Sequence, residues 1–264
     1  MTCVNCGTEQ TGKYCSNCGQ SLHVKRITLR DAWDDIWEHV SGFDGKFART
    51  FKDLSLRPGF AAREFINGNR ARYYGPVGYY LLMITVFLLW LEIINVDYVS
   101  YLTSKQETIS AQDNNVVAMK IREAISDNLK IFAFFIVPFI AFASRRIYFR
   151  KQGLNFLEHS VPVFYMLGHW FWFQMIEATV YRFSGYTISS VWQLFGVALY
   201  VGFGYTSFVT TQPKTKLFLK GLGVYLTGFF FFVITVAVLV AVTMIVIFNV
   251  DPSQLDSIRP SKNH

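Results

Sequence analysis

Five stretches of the chain, at about 77–95, 129–149, 157–180, 188–210 and 222–248, are predominantly apolar over lengths near twenty residues. A helix needs about 20 such residues to cross a hydrocarbon core about 30 Å thick. Inside lipid every backbone N–H and C=O must be satisfied within the spanning structure, so stretches of this kind fold as helices. The expectation is an all-α integral membrane bundle of about five transmembrane helices. Composition points the same way: 52% of residues are hydrophobic and 16% charged, with a mean hydropathy of +0.28, whereas soluble domains carry about 25% charged residues. The second stretch is uninterrupted only over 131–144. The fifth exceeds the core thickness, which implies a tilt or a projecting end.

Charge sets the expected orientation. Eleven Lys and Arg precede residue 77, four lie between the second and third stretches, and three between the fourth and fifth. The opposite side collects four in the 96–130 loop, the lone Arg182, and two after residue 250. By the positive-inside rule the N-terminus is cytosolic and the C-terminus external, in a bacterial inner (plasma) membrane. The net charge of +7 is read as this topological bias and not as a nucleic-acid footprint. The first twenty residues are polar, so targeting is expected to fall to the first span.

Those twenty residues hold all four cysteines. Cys3-x-x-Cys6 and Cys15-x-x-Cys18 are separated by eight residues, and each pair is followed by a glycine, Gly7 or Gly19. Two intervening residues let both sulfurs of a pair reach one ion at about 2.3 Å, and the glycine permits the tight turn. Four thiolates close a tetrahedral shell, so residues 1–22 are expected to form a zinc-ribbon knuckle whose zinc is structural, with no open position for catalysis. A thioredoxin-like pair would need a βαβ context, and a disulfide framework an oxidising compartment. Four thiolates on a divalent ion leave a negative centre, and Glu9 and Lys13, the other charges in the first twenty residues, cancel. The knuckle is therefore a poor phosphate binder. A protein partner, or the chain's own membrane domain, suits it better.

Residues 23–76 read as cytosolic amphipathic helices. Thr28 with Asp31 resembles a capping box ahead of Leu29, Trp33, Ile36, Trp37 and Val40 at helical spacing, and Phe43, Phe47, Phe51 and Leu54 continue the pattern with Lys46, Arg49 and Lys52 interleaved. Such helices are expected on the bilayer surface or on the membrane bundle. Farther on come Leu56-Arg57-Pro58-Gly59-Phe60 and Arg63-Glu64-Phe65-Ile66-Asn67-Gly68-Asn69-Arg70-Ala71-Arg72-Tyr73-Tyr74-Gly75-Pro76. Pro58 suits a first helical turn, Gly68 a helix end, and Pro76 the start of the first span. Arg57, Arg63, Arg70 and Arg72 then lie near the cytosolic surface, where they can anchor the topology or contact anionic lipid or ligand. With the double CxxC, this motif resembles the signature of a bacterial multi-pass membrane-protein family of unknown function. The resemblance covers about the first 95 residues and implies no activity.

The third stretch is unusual in carrying His159, His169, Gln174 and Glu177 among aromatics. Ionisable groups in hydrocarbon are functional candidates by default, and Gln174 and Glu177 share a helix face. The competing reading is a histidine satisfied by a neighbouring helix. Ala198 with Gly202, and Ala237 with Ala241, are small residues at a spacing that lets helices approach closely. No catalytic motif stands in a plausible context. The expected function is a non-enzymatic interaction or regulatory module, with a transporter or channel for a small or lipidic solute as the alternative. Residues 251–264 are expected to form a polar tail.

Overall fold

The computed structural model describes residues 1–9, 11–23, 26–28, 45–98, 100–101 and 129–250, with side chains from 133 to 242 in the last segment. The first amphipathic helix expected, over 29–40, most of the 96–128 loop and the tail lie outside the described residues. Among these residues there are seven α-helices: α1 (Gly45–Leu56), α2 (Pro58–Ile66), α3 (Pro76–Ile93), α4 (Leu129–Ala143), α5 (Phe156–Ser184), α6 (Ser190–Phe208) and α7 (Lys214–Val250). A π-helical turn, Ser144–Tyr148, and a short 3-10 turn, Arg150–Gln152, connect α4 to α5. No strand occurs among the described residues.

The five apolar stretches are occupied by α3 to α7. Two segments are long and apolar enough to cross a membrane, Pro76–Ile93 and the Lys214–Val242 part of α7. α7 begins at Lys214 instead of near residue 222, because the residues around Lys216 and Lys220 are also helical. At about 1.5 Å per residue, its 37 residues span roughly 55 Å. The second stretch does not stop at the arginines. The Phe149 N–H donates to Ser144 O at 2.8 Å, an i to i+5 bond that carries the helix through Arg145 and Arg146 as a π turn.

Prolines and one glycine set the helix ends near the motif. Pro58 and Pro76 occupy the first turns of α2 and α3, where a missing N–H costs nothing. Gly68, just past α2, has φ of +104°. α5 opens on a capping box: the Glu158 N–H donates to Asn155 Oδ1 at 2.8 Å, and the Asn155 N–H donates to Glu158 Oε2 at 2.7 Å.

α1 lies on the helix bundle. Its Phe47 and Phe51 rings meet Tyr79 of α3 and His169 and Trp172 of α5. The first half of α5 is buried under α1, α2, α3 and α4. Its second half presents Trp172, Phe173, Ile176, Val180 and Phe183 outward. α6 does the same with Val191, Trp192, Phe195 and Leu199.

Buried and half-buried tyrosines bind the helices to one another. Tyr165 of α5 donates to Tyr74 O at 2.5 Å, Tyr80 of α3 to Ala133 O of α4 at 2.7 Å, and Tyr200 of α6 to Leu54 O of α1 at 2.8 Å. Each hydroxyl gains a partner that its apolar surroundings otherwise deny it.

Glycine allows the closest approaches. A Cβ on Gly59 of α2 would stand 1.9 Å from Gly204 O and 2.3 Å from Phe208 N of α6, and one on Gly221 of α7 would stand 2.8 Å from Gly202 Cα. The expected small-residue contact thus forms at Gly202, whereas Ala237 and Ala241 are exposed. Gly59→Leu is expected to separate α2 from α6 and lower stability by about 1–3 kcal/mol or more, the usual range for overpacking. Gly45→Leu, at a position with nothing within 4 Å, should leave the unfolding midpoint in detergent unchanged.

Candidate metal centre and the polar contacts around it

The ligand atoms of Cys3, Cys6, Cys15 and Cys18 all lie within 4.8 Å of one another. Cys3 and Cys18 sulfurs are 3.6 Å apart, and Cys6 and Cys15 sulfurs 3.5 Å. Thiolates bound tetrahedrally at about 2.3 Å stand about 3.8 Å from one another, so the cluster fits a single tetrahedral ion. Both pairs are built alike. The Cys3 N–H donates to Thr8 O at 3.0 Å and Gly7 N–H to Cys3 O at 2.9 Å; the Cys15 N–H donates to Gln20 O at 2.8 Å and Gly19 N–H to Cys15 O at 2.9 Å. Gly7 and Gly19 have φ of +75° and +71°, and bridges between Thr2 and Glu9 and between Tyr14 and Ser21 close the two halves. The motif is therefore a repeat of two knuckles, which the spacing of the cysteines alone shows only in part.

The thiols differ in environment. The hydroxyl and backbone of Thr8 hold the Cys6 thiol down to about 6, while burial pushes Cys18 up to about 11. Cys6 is exposed and Cys3 and Cys15 are buried.

Gln20 occupies in the second knuckle the place of Thr8 in the first. Its side chain is only 2% exposed. The amide donates to Gly68 O at 2.6 Å and accepts from the Ala71 N–H at 2.8 Å. One residue thus joins the cysteine head to the turn that precedes α3. Two further bonds secure the following segment: Arg26 donates to Gly153 O at 2.8 Å, and Asn155 Nδ2 donates to Ile27 O at 3.1 Å. Sequence reasoning missed Gln20, because a polar residue after a knuckle looks like solvent-facing surface.

The four arginines do not converge on one point. Arg57 pairs with Asp53 at 3.1 Å and lies 4.1 Å from the Phe60 ring centre, with Arg63 at 5.5 Å from the same ring. Arg70 and Arg72 lie over Phe65 and Tyr73 at 5.8 and 5.7 Å. Asp53 also accepts from Tyr73 at 2.8 Å. Burial and that carboxylate hold the Tyr73 phenol well above its ordinary range, so it stays a donor.

His169 is buried and both its ring nitrogens have partners: Tyr79 at 2.8 Å and Ser55 of α1 at 3.1 Å. Glu177 belongs to a different place. It accepts from the Ile188 N–H at 3.0 Å and from Gln193, at the start of α6. Gln174 is half-buried between them on the same helix. His159 lies in a third arrangement, with Nδ1 2.9 Å from Ser144 Oγ, which accepts from Tyr205 at 2.9 Å.

A family model described as "Protein of unknown function (DUF3667)" matches residues 44–88. That segment takes in α1, α2, the 68–71 turn and most of α3, and begins after the cysteine centre. No curated protein and no solved structure matches the chain. What the fold and the centre define is an all-helical protein with a four-cysteine site that can hold a metal ion and two helices able to cross a membrane. The family match fits an uncharacterised family.

Cys15→Ser is expected to abolish metal binding by the purified protein, read as metal per chain. Gln20→Ala should leave metal content intact while raising hydrogen exchange at residues 68–71, with a stability loss of about 1–3 kcal/mol from the buried amides left unsatisfied. Tyr79→Phe, which removes one partner of His169, should cost about 1–2 kcal/mol without changing metal content.

Proposed function

We propose that the chain is a five-span protein of the bacterial inner membrane, whose cytosolic zinc-ribbon head acts as a non-enzymatic regulatory or interaction module. The observation that carries this reading is the buried Gln20 side chain, which ties the head to the turn immediately ahead of the first span. A change at the head then reaches the 68–71 turn through two hydrogen bonds and no flexible linker.

The outward aromatic and aliphatic side chains of α5, α6 and α7 support the membrane assignment for more than the two helices that qualify by length and composition. Large exposed apolar surface needs a solvent other than water. The N-in, C-out orientation rests on the basic residues at Arg145, Arg146, Arg150, Lys151, Lys214, Lys216 and Lys220. Zinc suits a closed set of four thiolates in a reducing compartment. Val4 and Tyr14, 52% and 68% exposed on the head, supply the apolar contacts a protein partner would use. Full engagement of both His169 nitrogens favours a packing role over a path for protons or solutes.

The test is a photo-crosslinker in place of Tyr14 in cells. The wild-type head should give a discrete adduct that disappears in Cys15→Ser while membrane insertion persists. An identical adduct pattern in both would sink the interaction reading. A cysteine introduced at Lys262 should react with a membrane-impermeant thiol reagent from outside intact cells.

A further inference from the structure

Between α4 and α7 runs an open groove of about 530 Å³, within the range of about 300–1,000 Å³ usual for ligand sites. It is lined by Pro138, Phe139 and Phe142 of α4, Phe156 at the start of α5, and Phe231 and Ile234 of α7. Thr235 also lines it, but its hydroxyl already donates to Phe231 O at 2.8 Å. The lining therefore offers an occupant no free polar side chain. Hydrocarbon fits it, and Phe142 and Ile234 are exposed along it.

One turn beyond Phe142 the chain becomes basic, with Arg145 and Arg146 in the π turn and Arg150 and Lys151 following. This segment is fastened to α7. Tyr148 OH is 3.0 Å from Thr227 Oγ1, Lys220 donates to Tyr148 O at 3.5 Å, and Gln152 donates to Thr211 at 3.4 Å. These bonds fasten the segment that carries the cations to α7 and bring the basic start of α7 next to it. No Asp or Glu occurs over 129–157 or 209–250, the next carboxylate, Glu158, accepts from the Asn155 N–H in the cap of α5, and among the described residues no ion pair engages Arg145, Arg146, Arg150 or Lys151. Arg146, Arg150 and Lys151 are exposed.

Basic residues at cytosolic helix ends are ordinary in membrane proteins. Here they follow within one turn of Phe142, which lines the apolar groove, and no ion pair among the described residues engages them. We propose that the groove binds one acyl chain of an anionic phospholipid whose phosphate rests on Arg145 and Arg146. Arginine suits that phosphate because its planar fork can donate two bonds at once. The site is separate from the arginines of the 57–72 motif, and it rests on the membrane assignment proposed above.

The experiment titrates purified full-length protein in detergent with dioleoyl-phosphatidylglycerol or dioleoyl-phosphatidylcholine and counts bound lipid by native mass spectrometry. The anionic lipid should bind more tightly. Arg145→Ala and Arg146→Ala should each weaken it about fivefold, the equivalent of about 1 kcal/mol per charge at a membrane surface. Thr235→Trp, which fills the groove and keeps every cation, should remove the preference. Ile234→Phe provides a milder filling, and metal content with the unfolding midpoint in lipid-free detergent verifies that each variant is folded. Equal affinity for the two lipids overturns the proposal. So does a preference that survives groove filling in folded variants, because surface charge alone then accounts for it, and so does a dimer that occupies the groove. Alkaline carbonate extraction separates the two readings: release of the wild-type chain from membranes defeats the membrane assignment, whereas retention without lipid preference defeats this site alone.

Discussion

Burying polar groups among apolar helices is the constraint on which the rest of the structure depends. In low-dielectric surroundings an unpaired hydroxyl or carbonyl is costly, by about 1–3 kcal/mol in proteins. The chain answers with tyrosines. Tyr165 reaches Tyr74 O, Tyr200 reaches Leu54 O, and Tyr80 reaches Ala133 O. Each ring fills apolar space, and each hydroxyl satisfies a group on another element. The α1–α2 elbow can therefore pack against α3, α5 and α6 without leaving its polar groups unsatisfied.

That packing divides α5 in two. The end near the cysteine head is protein core, with Glu158 and His159 buried, and the other end shows Trp172, Ile176 and Phe183 to the outside. His169 marks the boundary, held by Ser55 and Tyr79. The head is tied to the same core through Gln20, so the four-cysteine site, the 68–71 turn and the start of α3 form a continuous chain of contacts. In the proposed function, metal binding matters for what it does to that turn.

Helix positions were largely legible in the sequence, because hydrophobic run length and proline placement are local properties. Pro58 and Pro76 begin helices, and α3 to α7 coincide with the apolar stretches. The candidate sites were less legible. Gln174 and Glu177 share a face by helical periodicity, yet Glu177 takes its partners from the segment leading into α6, and His169 takes its partners from α1 and α3. Periodicity describes one helix at a time and says nothing of which neighbour comes to meet it. The four motif arginines show the same limit: close in sequence, they separate onto Phe60, Phe65 and Tyr73.

By itself the sequence determined that this chain is helical and apolar, and that its four cysteines can close on one ion, since the CxxC spacing and the trailing glycines act within a few residues. Only the tertiary structure decided what those parts do to one another. It gave Gln20 a buried seat against Gly68 and Ala71, placed Gly59 against the backbone of α6, and fastened the basic π turn to α7 through Tyr148 and Thr227. The reason is physical: hydrogen-bond satisfaction and close packing between distant segments depend on where the backbones meet, and that meeting is a property of the whole fold.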